Sequence, residues 1–348
     1  MSTTALTFAI PGDINTLTGG YVYDRRVLAE LRATGLDVAH CRLPDSFPFP
    51  SPGDLAQAGR LLHACAPGPL LIDGLAFAAM PAQLLADLPH PAIALIHHPL
   101  GLETGLSVQQ AARLIRSERA ALAQAARVIV TSATTADILV ADFDVARENI
   151  AIAEPGTDPA ARAIGSGRTD GPLLMAAGSI IPRKGYDVLM AALEAIVDLP
   201  WHLLLVGSPH RAPETAAALD ADISRRGLAA RITLRGELSL EEMAQAYASA
   251  DIFVMPSRYE GFGMVLAEAM ARGLPVVAST GGAAAKTVPD AAALKVPPGD
   301  APALAAALAR IISDCGLRAR LADASWAAGA DLQRWPRTAR IVAQAMQL

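Results

Sequence analysis

The sequence predicts an α/β protein made of two tandem doubly wound domains, and three observations lead there. The chain has 348 residues, about 2.3 times a ~150-residue domain. Short apolar runs alternate with longer amphipathic ones, the pattern of strand–helix–strand units around a parallel sheet. That alternation stops once, at Pro155 to Gly171, where Gly and Pro replace periodicity, and then begins afresh.

Taken in order, the first series predicts strands at Leu6 to Ile10, Asp37 to Arg42, Leu70 to Asp73, Ile93 to His97, Arg127 to Thr131 and Asn149 to Ala153. Helices are expected between them at Val22 to Ala33, Leu55 to Cys65, Ala76 to Ala86, Val108 to Gln124 and Thr134 to Ala141, and the Pro-rich stretch Pro44 to Pro52 is a surface connector. The second series predicts strands at Leu173 to Ala177, Trp201 to Val206, Ile232 to Leu234, Ile252 to Met255, Pro275 to Ala278 and Ala293 to Val296. Its helices are Tyr186 to Val197, Pro213 to Arg226, Leu240 to Ala248, Met264 to Ala271 and Ala301 to Ser313. The domains are therefore 1–160 and 161–330, with 331–348 forming a helix after Trp335-Pro336 that either closes the second domain or returns to the first.

Composition excludes several classes. The chain is 52% hydrophobic, yet its longest apolar stretches are cut by Pro, His or Asp, short of the ~20 apolar residues a spanning helix needs. The start, Met-Ser-Thr-Thr-Ala-Leu-Thr-Phe, has no basic region and no long apolar run, so no secretory leader is expected and the protein is assigned to the cytoplasm, with peripheral membrane association left open. Cys41, Cys65 and Cys315 lack metal or disulfide spacing and read as buried small hydrophobes. Residues 1–160 carry 10 Lys+Arg against 16 Asp+Glu, and the remainder 19 against 18. The acidic first half offers no basic footprint for nucleic acid. Only three of the 29 basic residues are lysines, which draws attention to Lys184 in a glycine-containing turn.

The chemistry concentrates where strands end, because open α/β sheets bind ligands beyond the carboxyl ends of their strands. In Pro256 to Ser279 a strand runs into Glu260-Gly261-Phe262-Gly263, and a helix starts at Met264. Glycines permit close backbone approach, and the free amides of a helix start favour an anion such as phosphate. Glu268 sits on that helix among Leu266, Ala267, Ala269 and Met270. A carboxylate in such surroundings needs a partner; a ligand hydroxyl would serve, as would a salt bridge or solvent. Ala176 to Leu193 repeats the strand–turn–helix theme, with Gly178 opening the turn and Arg183-Lys184-Gly185 closing it. Two cations there can neutralise a diphosphate as it leaves, although such a pair taken alone is an ordinary exposed basic turn.

Glu260-x7-Glu268, within PSRYEGFGMVLAEAMARGLPVVAS, resembles the signature of the retaining glycosyltransferases of family 4, which have the GT-B fold of two Rossmann-like domains facing across a cleft. The resemblance implies that Glu260 contacts donor-sugar hydroxyls. It likewise implies that Gly261, Phe262, Gly263, Met264 and Val265 hold the diphosphate and that Glu268 holds the ribose. Lys184 with a nearby Arg matches the family's G-R-x-x-x-x-K-G element, with Ser179 where Arg is common and Arg183 as the second cation. Glu237 and Leu238 fall in a segment like the one that meets the nucleobase, and Gly207 ends another strand at the same donor site. Gly281-Gly282 also match, but the acid often found a few residues later is replaced by Ala283 to Ala285 and Lys286, so no role is assigned beyond the glycines.

In the first half the resemblance makes Gly19 and Gly20 a loop near the donor phosphate and reacting sugar, and His97 the family's strand-end histidine. His98 stands where Asp is frequent, and Glu103 follows; both are assigned to the acceptor side, with Glu103 able to orient or deprotonate a hydroxyl. GxGxxG is absent, which disfavours a dinucleotide oxidoreductase. The reading is a metal-independent retaining transferase that uses a nucleotide-diphosphate sugar as co-substrate, needs no cofactor, and serves a small-molecule, glycan-linked or lipid-linked acceptor. Its rivals are another enzyme on the same fold, such as a nucleotide-sugar epimerase or an inverting transferase, and a subunit that binds the nucleotide sugar without transferring it.

Overall fold

A computed structural model describes residues 5–347; residues 1–4, part of the stretch read for a leader, and residue 348 lie outside the described residues. The chain divides into two compact units. Unit 1 runs to Gly156 and takes in the segment from Gln333 onward, and unit 2 is Thr157–Leu332.

Unit 1 contains β1 (Ala5–Pro11), α1 (Gly19–Ala33), β2 (Asp37–Leu43), α2 (Pro52–His63), β3 (Leu70–Asp73), α3 (Gly74–Phe77), α4 (Ala82–Ala86), β4 (Ala92–Ile96), α5 (Val108–Leu122), β5 (Arg127–Val130), α6 (Ala133–Asp142) and β6 (Ile150–Ile152). Its six strands are parallel, in the order β2-β1-β3-β4-β5-β6. The central strands are continuous apolar runs because both faces are covered: Leu70, Leu71 and Ile72 are wholly buried. Each such side chain contributes about 1.5–3 kcal/mol when removed from water.

Unit 2 contains β7 (Leu173–Ala177), α7 (Tyr186–Glu194), β8 (His202–Val206), α8 (Pro213–Arg225), β9 (Ile232–Leu234), α9 (Leu240–Ser249), β10 (Ile252–Met255), α10 (Met264–Met270), β11 (Val276–Ser279), α11 (Ala284–Thr287), β12 (Ala293–Val296), α12 (Ala301–Ser313) and α13 (Cys315–Ala330). Its parallel sheet has the order β12-β11-β10-β7-β8-β9. Strand order reverses between β1 and β3 in unit 1 and between β7 and β10 in unit 2, and such switch points open a crevice at the strand carboxyl ends.

The last helix, α14 (Trp335–Ala345), belongs to unit 1. Trp335, Thr338, Ala339 and Val342 are buried, and Thr338 Oγ1 donates to the Glu154 carbonyl at 2.7 Å. Trp335 meets the edge of Tyr23 from α1, with ring centroids 5.8 Å apart. Residues 163–166, in the stretch that lacks periodicity, are strapped to unit 2. Ala163 N donates to Arg272 O, Ile164 N to Ala248 O, and Ser166 N to Asp251 Oδ1.

Four expectations are corrected. The helix expected over Ala76 to Ala86 is two short pieces, α3 and α4, because Pro81 cannot continue a helix and instead precedes α4. Helix α1 starts at Gly19 instead of Val22, since the Thr18 hydroxyl accepts from Tyr21 N and caps it there; Gly19 and Gly20 are thus the first turn of a helix and not a loop. Helix α13 has no counterpart among the expected elements. The cysteines are not buried: Cys41 and Cys65 are half-buried and Cys315 is exposed at the start of α13. Burial and the neighbouring Cys65 push the Cys41 thiol up to about 12. Among the described residues no helix is long and apolar enough to cross a membrane.

Candidate functional site

The loops after β7 and β10 leave adjacent strands at the switch point of unit 2, which brings residues 178–185 against residues 256–263. They dock through backbone. Arg258 N donates to Arg183 O at 2.8 Å, and Gly185, at φ +67°, lies so close to the Pro256 carbonyl that a Cβ there would collide with it. Gly178 leaves room for the lysine stem, since a Cβ on it would sit 2.8 Å from Lys184 Cε. Gly207, ending β8, abuts the Gly178 carbonyl in the same way.

This packing delivers Lys184 and Arg183 to Glu260. Lys184 Nζ donates to Glu260 Oε1 at 2.7 Å, and Arg183 Nη1 stands 3.5 Å from Oε2 while donating to Tyr259 O at 2.8 Å. Glu260 is buried. Burial alone would raise its carboxyl, but the Lys184 and Arg183 charges and the lysine hydrogen bond hold it below the ordinary range. Behind the loop, Gly281 and Gly282 carry the backbone that supports it: Ala283 N donates to Glu260 O at 2.8 Å, and a Cβ on either glycine would collide with the 258–260 main chain. These two glycines are a mount for Glu260.

Helix α10 follows Gly263, which adopts φ +91° and offers no side-chain cap. Phe262 is half-buried, and its carbonyl accepts from Thr287 Oγ1. Glu268 finds its partner inside the protein. Tyr247 Oη, from α9, donates to Glu268 Oε2 at 2.8 Å, and the Arg272 guanidinium lies 4.5 Å from the Tyr247 ring centroid. Burial raises the Glu268 carboxyl, with the Tyr247 hydrogen bond and Arg272 opposing.

Unit 1 assembles a second cluster at its own switch point. His97 directly follows β4, Asp73 ends β3, and Asp24 projects from α1 after β1. His97 Nε2 lies 3.0 Å from Asp24 Oδ1 and 3.4 Å from Asp73 Oδ2. Both carboxylates are buried, while the imidazole is 21% exposed. Burial opposes charge on the ring, but Asp24 and Asp73 overcome it and raise His97 to about 10. The ring is therefore an imidazolium at neutral pH. Gly20 leaves it space, since a Cβ there would touch His97 Cδ2 at 3.4 Å, and Tyr23 meets it edge-on at 5.1 Å. This is also the group of three with a metal-type donor set among the described residues. The imidazolium lies within reach of both carboxyls and offsets one negative charge, while burial raises the Asp24 carboxyl to about 7; the cluster is built as an ion pair.

Residues 171–314 match the family described as "Glycosyl transferases group 1", and residues 12–156 match the "Glycosyl transferase 4-like domain". This chain belongs to glycosyltransferase family 4, of the GT-B fold. It is 32% identical over 271 residues to a D-inositol 3-phosphate glycosyltransferase of Streptomyces bingchenggensis, covering 71% of this chain and 58% of that one. The chain spans about half the length of the curated relatives it matches, with coverages from 38% to 61%. In fold it is similar to sucrose-phosphate synthase from Thermosynechococcus elongatus, with TM-score 0.83, 24% identity and 97% of each chain covered. It is also similar to HepE of Anabaena, solved in complex with UDP and glucose, with TM-score 0.77, 18% identity and coverage of 98% and 99%.

Other family-4 positions stand as follows. Glu237 is exposed and Leu238 half-buried in the turn before α9, and that turn joins the β8 end through Gly207 N donating to Gly236 O at 2.8 Å. Met264 and Val265 are half-buried at the start of α10. His98 is half-buried. Glu103 Oε1 accepts from Thr104 N at 3.0 Å; the acids that hold His97 are Asp24 and Asp73. Sequence reasoning passed over Asp24, Asp73 and Tyr247. Asp73 carried a usable signal, as the last residue of a strand ending at a switch point. Asp24 and Tyr247 lie within helices, where nothing in their spacing marks them.

Proposed function

We propose that the protein is a retaining, metal-independent glycosyltransferase that moves a sugar from a nucleotide-diphosphate donor to an acceptor hydroxyl. The observation that carries this reading is the buried Lys184–Glu260–Arg183 cluster at the switch point of a family-4 domain. The two cations share one carboxylate and keep an excess of positive charge. An incoming diphosphate supplies the negative charge that Glu260 now supplies, so Lys184 and Arg183 turn to phosphate and Glu260 is freed to accept donor-sugar hydroxyls. As the glycosidic bond to phosphate breaks, charge grows on the leaving oxygen, and fixed cations there stabilise it without reorganisation.

His97 bears on where the acceptor proton goes. An imidazolium held at about 10 donates hydrogen bonds but takes no proton at neutral pH. The family resemblance makes the leaving phosphate oxygen the base, the front-face path of a retaining enzyme, and a protonated His97 is compatible with it. On this reading unit 2 binds the donor and unit 1, through His97, His98 and Glu103, presents the acceptor. The UDP and glucose bound to HepE, a protein of the same fold, support a nucleotide sugar as donor.

A thermal-shift panel of UDP, GDP, ADP and their sugars tests the donor assignment, since a ligand of the native state raises Tm. One base should stand out, and a flat panel overturns the reading. Proton NMR of the product should show the donor's anomeric configuration, and activity should survive EDTA. An inverted product, or activity that EDTA abolishes and a divalent cation restores, removes the retaining or the metal-independent part.

A further inference from the structure

The segment that joins β4 to α5, His98-Pro99-Leu100-Gly101-Leu102-Glu103, rests on a buried carboxyl that the proposed reaction does not use. Glu118, on α5, is wholly buried. Its Oε2 accepts from Leu100 N at 2.9 Å, and its Oε1 has no hydrogen-bond partner among the described residues. The segment comes this close because residue 101 is glycine: a Cβ there would collide with Ile115 Cγ1 and lie 2.9 Å from Ile115 N. Burial pushes Glu118 up to about 8, with the Leu100 and Gly101 amides opposing. At neutral pH the group is thus a neutral acid whose carbonyl oxygen receives the Leu100 amide.

An aliphatic side chain would fill this space without the cost of burying a polar group. What the carboxyl adds is an acceptor for a main-chain amide in a segment that runs directly on from His97 and ends at Glu103. We propose that Glu118 is a positioning residue: through the Leu100 amide it fixes the 98–103 segment, and so sets where His98 and Glu103 stand relative to the β4 end. The functional part of this rests on the assignment of that segment to the acceptor side; the mechanical part stands on the contacts alone.

The experiment follows the Leu100 and Gly101 amides and the His97 and His98 rings by NMR in the full-length protein and in two variants. In the wild type, both amide resonances titrate with Glu118 around pH 8. Glu118→Gln keeps an acceptor for Leu100, so exchange protection and ring signals stay native while the titration step disappears. Glu118→Leu removes the acceptor, and exchange at Leu100 and Gly101 rises at least about tenfold with displaced ring signals for both histidines. A titration step that persists in Glu118→Gln overturns the proposal. So do Leu100 exchange and histidine signals unchanged in Glu118→Leu, or two variants that behave alike. Thermal shifts with UDP and GDP on the same samples keep the two readings apart: nucleotide binding retained in both variants is the expected result, whereas a wild type that binds neither nucleotide counts against the donor reading and leaves the amide result to stand or fall by itself.

Discussion

Lys184 and Glu260 are 76 residues apart in sequence, yet Nζ and Oε1 are 2.7 Å apart in the fold, in a pocket where both side chains are largely buried. Each motif therefore supplies the counter-charge of the other. Deleting one partner of a buried pair costs about 3–5 kcal/mol, because the remaining charge is stranded.

Glu260→Gln is expected to cut turnover by about 10²–10³-fold, the range seen when one preorganised polar group at a reacting centre is removed, while nucleotide binding persists because Lys184 and Arg183 remain. Lys184→Met is expected to lose both turnover and nucleotide binding. Initial rates with the donor that the thermal-shift panel selects, alongside nucleotide titrations, check both; wild-type turnover in either variant sinks the donor-site assignment.

The same glutamate links stability to acid. Its folded carboxyl lies below the unfolded value of 4.5, so its contribution is present above 4.5 and is lost as pH falls through the folded value. Urea unfolding at stepped pH should show the wild type losing stability on acidification below 4.5 more steeply than Glu260→Gln.

His97 runs the other way. Its folded value of about 10 exceeds the unfolded 6.5, so the His97 contribution is fully present below 6.5 and is lost as pH rises through about 10, whereas Asp24, which burial raises from 3.8 to about 7, costs stability as pH rises from 3.8 through about 7. Nitrogen-15 shifts of the ring should report both nitrogens protonated at pH 8, and His97→Asn should flatten the decline in stability between 6.5 and 10. A neutral His97 ring at pH 8 refutes the assignment.

Tyr247→Phe removes the hydroxyl that donates to Glu268. A hydrogen bond contributes about 0.5–1.5 kcal/mol, so Tm should fall and the Glu268 carboxyl should rise further. Combining Tyr247→Phe with Glu268→Gln should cost less than the sum of the two single changes; strict additivity would mean the contact carries no energy.

Gly185→Ala tests the docking of the two loops. A left-handed residue other than glycine costs about 1–2 kcal/mol, and here the Cβ also meets the Pro256 carbonyl. The variant should unfold at lower temperature and bind nucleotide more weakly, whereas Gly19→Ala, whose Cβ finds open space, should leave stability unchanged.

Most strands and the glycine-bounded turns after β7 and β10 were legible in the chain because they rest on local rules. Val, Ile and Leu runs bounded by Gly and Pro mark buried parallel strands, and Gly263 and Gly185 mark helix starts that need a left-handed residue. Helix α13 was not legible, and the reason lies in its inward stripe. The buried positions are Leu317, Leu321, Ser325 and Gly329. Ser325 donates to the Leu274 carbonyl at 2.6 Å, and Gly329 lets the helix approach the Met270 main chain, so half of the stripe is not hydrophobic and the apolar period is erased. Glu118 was invisible for a related reason: within Arg-Ser-Glu-Arg it reads as one charge of a solvated helix face, and only the packing of Gly101 on α5 puts it inside.

The sequence by itself determined two doubly wound units and the glycine-bounded turns that end β7 and β10, since strand alternation and turn chemistry act over a few residues. Tertiary structure alone decided which charges neutralise one another. Asp24, Asp73 and His97 meet because β1, β3 and β4 end side by side at a switch point, and Lys184 meets Glu260 because β7 and β10 are neighbours despite the two strands that intervene in sequence. Ion pairing falls off with distance and strengthens with burial, and both are properties of strand order, which no local pattern of residues contains.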